Sequence, residues 1–252
     1  MSAFTFISDE LVLVSVVDDD EQVSLRVLAV GDTGSEYLCE LRYPRLRTIV
    51  YEMSISSEPS PTSAISNIPA APFTHSSTDV LFTVTVTYSD SSSENEAITL
   101  LVPRSTILSQ VSRVSASPQK YLEWESWGPT GSRMLKIKPS DVWVCYSYGM
   151  KFVHSSPAGS VFAHVYDFNP YATRTDVSSA NCPHLPWKAM PMETKIRRGH
   201  NPFDIDVITS LPGRNATFHL MPSDHGWEAT MITEDHIVLV QVSEPQHVLF
   251  FS

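Results

Sequence analysis

The chain has 252 residues, 42% of them hydrophobic, which is enough apolar material for a packed core and too much for a disordered chain. Its 17 basic and 28 acidic side chains give a formal charge of -11. Its cations cluster little, the tight groups being short ones such as Arg42/Arg45/Arg47 and Lys195/Arg197/Arg198, so nucleic acid and an anionic membrane surface are both excluded as expected partners. The acidity reads first as solubility and second as a field for a basic peptide.

Three cysteines, Cys39, Cys145 and Cys182, are too few and too odd in number for a disulfide framework. Cys39 and Cys145 lie in apolar runs, where a thiol behaves as a small hydrophobe. Met1 to Ile7 carries no Lys or Arg, and Asp9 and Glu10 interrupt the apolar stretch, unlike a secretory signal. No apolar run approaches the length of a membrane span. An intracellular address, cytoplasm or nucleus, is the expectation. The sequon at Asn215 then reads as chance, since glycosylation needs the secretory pathway.

Along the chain the hydrophobic period is two rather than 3.6 in most places. Leu11 to Val17 is nearly continuously apolar, as a strand covered on both faces would be. Val23 to Val30 and Tyr37 to Leu41 flank Gly31-Asp-Thr-Gly34, which reads as a hairpin turn because it lacks the glycine spacing and following Lys of a phosphate loop. Ser56 to Pro72, rich in Ser, Pro and Ala, reads as a long exposed loop. In Val80 to Tyr88 the residues Val80, Phe82, Val84, Val86 and Tyr88 share one face and Thr83, Thr85 and Thr87 the other, the pattern of a half-buried antiparallel strand.

Ile98 to Val102 is the next strand, and a short turn around Thr106 to Val111 is the best helical candidate. Further strands are expected at Val142 to Ser147, Lys151 to His154, Val161 to Phe168, Glu228 to Ile232, Ile237 to Val242 and Val248 to Phe251. Ala180 to Asn201, with three prolines, reads as irregular or extended chain. Val23 to Leu41 and Val161 to Pro170 form a weak internal repeat of strand and Asp-containing turn. The expected architecture is a single all-β domain over 1–252, propeller-like, with about 3–4 four-stranded blades of about 40–45 residues each. A β-sandwich is the alternative.

Several constellations carry chemistry-bearing residue types. Glu123 and Glu125 would share a face if Trp124 lay in a strand, but adjacent glutamates are ordinarily a solvated face. Ser223-Asp-His225 holds the residue types of a hydrolase triad, yet consecutive side chains diverge and cannot meet one reacting atom. Cys182, His184 and His200 supply too few ligands for structural zinc. His154, His164 and His219 are scattered and default to hydrogen-bonded strand positions. No catalytic, metal or cofactor residue is assigned. Trp124, Trp127 and Trp143, with a bend at Gly128-Pro129, read first as core and second as an exposed recognition surface. Arg133 would pair with Asp141 or stack on a tryptophan.

The segment 124–135, Trp-Glu-Ser-Trp-Gly-Pro-Thr-Gly-Ser-Arg-Met-Leu, followed by Asp141 to Tyr146 and Val165 to Pro170, resembles the C-terminal region of fungal F-box proteins. Leu101 to Ser105 and Met231 to Val238 look similar to that region too. The resemblance implies a propeller-like domain that selects the protein to be ubiquitinated by a cullin-type ligase. Met1 to Val17 lacks the helical F-box pattern, so contact with the ligase's linker subunit would require an F-box supplied elsewhere, the chain being then a shortened form. The expected function is non-enzymatic protein binding. A hydrolase on a β scaffold and a structural remnant without a partner are the alternatives.

Overall fold

The computed structural model describes residues 3–18, 20, 22–32, 34–58, 79–89, 95–137, 145–155, 162–171, 187–198, 202–220, 227, 229–234, 236–240 and 248–250. In chain order the elements begin with β1 (Phe4–Phe6), β2 (Leu11–Val17), β3 (Val23–Gly31), β4 (Gly34–Arg42), β5 (Val50–Ser56), β6 (Leu81–Ser89) and β7 (Asn95–Pro103). Helix α1 (Arg104–Ser115), β8 (Tyr121–Leu122), α2 (Trp124–Gly131) and β9 (Arg133–Leu135) follow. Then come β10 (Ser147–Tyr148), β11 (Lys151–Ser155), β12 (Phe162–Asp167), β13 (Lys188–Ala189), β14 (Thr194–Ile196) and β15 (Val207–Thr209). The last are β16 (Arg214–His219), β17 (Ala229–Ile232), β18 (His236–Val240) and β19 (Val248–Phe250). The structure is thus mostly β, as the period-two patterning requires. Where the sequence reading takes one domain, the chain groups into two compact units, Met1–Lys138 with Glu193–Leu211, and Pro139–Met192 with Pro212–Ser252.

In the first unit an antiparallel meander β1-β2-β3-β4 ends on β8, which runs parallel to β4. A second sheet has the order β5-β6-β7-β9, and β14 pairs with β15 as a two-stranded ribbon. Alternation decides which side chains go inward. Leu13, Leu25, Val27, Cys39 and Leu41 from the first sheet meet Phe82, Val84, Val86, Tyr88, Leu100 and Val102 from the second in one core. Burial pushes the Cys39 thiol up to about 11, so it is protonated and behaves as the small hydrophobe its sequence context suggests.

Strand β6 departs from the expected half-buried pattern. Its Phe82–Tyr88 face is core as anticipated, but Thr83 and Thr85 are buried as well. The Thr85 and Thr99 hydroxyls lie 3.3 Å apart, and Thr99 donates to the Ile137 carbonyl at 3.0 Å, which satisfies these two groups, whereas the buried Thr83 hydroxyl has no hydrogen-bond partner among the described residues. Alternation of apolar and Thr residues marks two faces; it does not say that the Thr face is wet.

The expected turn at Thr106–Val111 is a 12-residue helix. Asp79, remote in sequence, caps it by accepting from the Ser105 amide at 2.9 Å and the Ser105 hydroxyl at 2.5 Å. Ile107 and Val114, two turns apart, reach the core. Helix α2 occupies the segment where Trp124 was weighed as a strand residue, which is a correction. A local Gly-Pro pair obscures the helix in the sequence. Yet Gly128 is where the Trp124 ring lies, one turn on, and a Cβ there would clash with it at 2.3 Å from two of its carbons.

The second unit pairs β10-β11-β12-β16-β13 and β17-β18-β19. Val153, Ala163 and Val165 share its core with Leu220, Trp227, Ile232, Ile237 and Leu239. The Asp-containing turn expected after β12 is present: Asp167 Oδ1 accepts from the Asn169 amide at 3.0 Å. Two short strands, β13 and β14, run within 180–201; residues 59–72 of the expected long loop lie outside the described residues, as do 141–144 of the expected strand at Val142–Ser147.

Candidate protein-binding surface

The aromatic block is buried. Trp124 and Trp127 are 3% and 2% exposed, their rings 5.2 Å apart at 78°, and Tyr43 packs on Trp124 at 6.2 Å. Trp127 Nε1 donates to the Arg42 carbonyl at 3.0 Å, which satisfies the one polar atom of the ring. The Pro129 carbonyl accepts from the Ser210 amide at 2.7 Å, tying α2 to the end of β15. Arg133 is fully buried and donates through Nη1 to the Thr209 and Leu211 carbonyls at 3.4 Å each. Burial lowers its pKa, since desolvation penalises the cation. Asp141, its expected partner, and Trp143 lie outside the described residues. Trp124, Trp127, Gly128, Pro129 and Arg133 therefore build the fold rather than a surface.

The surface that gathers exposed aromatic and charged side chains is the outer face of the first sheet. Register places Phe4, Val14, Arg26, Glu40 and Tyr121 in one row across five strands. Phe6, Val12, Leu28 and Tyr37 form the next row. Phe4 and Phe6 are 64% and 45% exposed and meet edge to face at 6.4 Å. At the other end Glu40 is nearly buried. Its carboxylate accepts from Arg26 Nε at 3.3 Å, Arg42 Nε at 3.3 Å and the Tyr37 hydroxyl at 3.3 Å. Arg42 also reaches Glu123 Oε1 at 3.0 Å and lies over the Tyr121 ring at 4.0 Å. Burial and the neighbouring Glu40 charge raise the Tyr37 phenol to about 12, so it stays a donor.

Sequence reasoning missed this face. Phe4-Thr-Phe6 alternates, and Arg26 and Glu40 each interrupt apolar strands on outward positions, but only the strand register shows that they share one face. Glu123 is taken by Arg42, and Glu125 lies in the first turn of α2; the carboxylates are not brought together on a strand. Cys182, His184, His200 and the segment 223–225 lie outside the described residues. Among the described residues no group of three or more His, Cys, Asp or Glu comes together. An apolar recess is lined by Tyr43, Leu46, Val86, Tyr88, Ile98, Pro202 and Phe203. Within it the Tyr43 phenol is held well above its ordinary value by burial.

His154 and His164 face each other across β11 and β12, and His164 Nδ1 lies 3.1 Å from the Thr217 hydroxyl, a strand position as expected. Burial first, and the His164 charge second, hold His154 down to about 4. In the unfolded chain it titrates near its ordinary 6.5. A depressed basic group gives stability that is complete above the unfolded value and is lost as pH falls towards the folded one. Between pH 7.5 and 5 the loss from this group is about 1–2 kcal/mol after allowing for its partial access to solvent. Urea unfolding at both pH values should show it in the native chain and not in His154→Gln; an equal pH dependence in both would remove the assignment.

No protein-family model, no curated protein and no solved structure matches the chain. Among the described residues no helix is long and apolar enough to cross a membrane.

Proposed function

We propose that this chain is a protein-binding module. The observation that carries the reading is the outer face of the first sheet. It carries exposed Phe4 and Phe6 on its edge strand and, across β2, a charged cluster, Arg26–Glu40–Arg42–Glu123, already held in place by mutual contacts. Exposed aromatic rings and fixed arginines are what interface cores use, because they contribute large contact area at small cost in conformational freedom. The resemblance of segment 124–135 to fungal F-box proteins makes the module a substrate-capture domain of propeller-like type. The four-stranded meander β1–β4 has the strand count of one blade. Because the residues of that segment are core, the resemblance speaks for the scaffold, and the partner is left to the surface.

The test compares native chain with the double substitution Phe4→Asp and Phe6→Asp in affinity capture from a native lysate. Preys retained by the native chain should fall at least tenfold in the double variant. Its unfolding free energy should change by no more than about 1 kcal/mol, since both rings are exposed. Ligase linker and cullin subunits among those preys would support recruitment to ubiquitination. Preys equally retained by both chains would overturn the assignment of this face.

A further inference from the structure

The two basic groups of the sequence, some 150 residues apart, are joined in the first unit. An isolated antiparallel bridge pairs Leu46 with Phe203, and flanking bonds run from the Arg47 amide to the Pro202 carbonyl at 2.6 Å and from the Asp204 amide to the Arg45 carbonyl at 3.1 Å. This lays the 45–47 segment along 202–204, and 202–204 leads directly into the β14–β15 ribbon. Alternation then sorts the side chains. Ile196, Phe203 and Val207 go to the core, while Lys195 on β14 and Arg197 just after it, and Ile208 on β15 and Asp206 just before it, are exposed.

The result is a patch of five cations, Arg45, Arg47, Lys195, Arg197 and Arg198, on a chain whose net charge is -11. Asp204 sits 3.9 Å from Arg45 and 3.6 Å from Arg47, and Asp206 accepts from Lys195 at 2.7 Å and from the Arg198 amide at 2.6 Å. Hydrogen bonding from Lys195, then from the Arg198 amide, lowers the Asp206 pKa, so it stays ionised and keeps the ribbon end in shape. Asp204 and Asp206 stand within the patch, and Glu193, two residues before Lys195, borders it. Exposed isoleucines are set among the cations: Ile49 at 60%, Ile205 at 44% and Ile208, cross-strand from Lys195, at 36%.

We propose that this patch docks an acidic, leucine- or isoleucine-containing segment of a polypeptide partner. Screening confines charge effects to about 8 Å at physiological ionic strength, so the local excess of cations, and not the net charge of the chain, sets the attraction. The isoleucines give such a segment apolar contacts between its carboxylates. Fixed Asp204 and Asp206 within the patch, and aliphatic rather than aromatic side chains between the cations, suit a peptide better than a phosphate backbone with stacking bases. The class of partner rests on the protein-binding reading; the place does not, being separate from the Phe4–Phe6 face.

The probe is a fluorescent twelve-residue peptide of alternating Glu and Leu, followed by anisotropy with the full chain at low and physiological salt. Saturable binding is expected, at least tenfold weaker for the Gln-for-Glu peptide and for the triple substitution Arg45→Gln, Arg197→Gln, Arg198→Gln. That triple leaves the Arg47–Asp204 and Lys195–Asp206 pairs in place. Ile205→Ser with Ile208→Ser should weaken binding severalfold at constant charge, and Phe4→Asp with Phe6→Asp should leave it unchanged. Absence of saturable binding, an unaffected triple or double-Ile variant, or tighter binding of a single-stranded oligonucleotide of equal charge would each overturn the proposal. Loss of lysate preys in the Phe4/Phe6 variant bears on the other face alone, so the two readings fail separately.

Discussion

Trp127→Ala is expected to lower the unfolding free energy by about 4 kcal/mol, the range for deleting a fully buried indole. The ring is 2% exposed, meets Trp124 edge to face, and sits in the shared core of both sheets of the first unit. The loss has two parts. Removing the ring leaves a cavity bounded by Trp124 and its neighbours, which the rigid sheets cannot close. It also leaves the Arg42 carbonyl without the indole donor at 3.0 Å. Trp127→Phe separates them, because it keeps most of the packing and removes the donor; about 1–2 kcal/mol is expected there. Urea unfolding followed by circular dichroism measures both. An unchanged midpoint in Trp127→Ala would return the ring to the class of exposed recognition residues and undo the core assignment of the whole block.

The second large effect falls in the other unit. Asp167 is 2% exposed and stands opposite Arg214 in the β12–β16 ladder. Its Oδ2 accepts from Arg214 Nε at 3.0 Å and Nη2 at 2.8 Å, and its Oδ1 holds the Asn169 amide. Arg214 in turn lies 4.4 Å over the Trp187 ring. Asp167→Ala strands a guanidinium that keeps only part of its access to water, and orphans the turn amide. About 3 kcal/mol is expected, the lower end for breaking a buried pair. The double substitution Asp167→Ala with Arg214→Met should recover part of it, because neither charge is then left uncompensated. If the double variant is no more stable than Asp167→Ala, the cost lies in the turn and not in the ion pair.

The strands were largely legible in the sequence. Leu11–Val17 has the expected bounds, and Lys151–Ser155, Phe162–Asp167 and Ala229–Ile232 differ from expectation by a residue or two, because alternation against a core is a local property. Strands of two or three residues, such as Tyr121–Leu122 and Thr194–Ile196, left no such trace, since a period cannot be read from so few positions. Helix α2 was hidden by Gly128-Pro129, residues that local propensity assigns to a turn; packing of Trp124 over Gly128 outweighs that preference.

Composition and alternation by themselves determined that this chain is built mainly from strands, that its tryptophan block has the makings of a core, and that six of its 17 cations form two tight clusters. Which clusters meet was decided by the tertiary structure. The Leu46–Phe203 bridge joins Arg45 and Arg47 to Lys195 and Arg197, and strand register alone puts Phe4, Arg26 and Glu40 in one row on one face. The division into two units is of the same kind, since each core is assembled from segments that are far apart in the chain. Periodicity reports which side of its own element a residue occupies. Surfaces depend on which elements lie side by side, and that is fixed by long-range pairing whose register no single segment encodes.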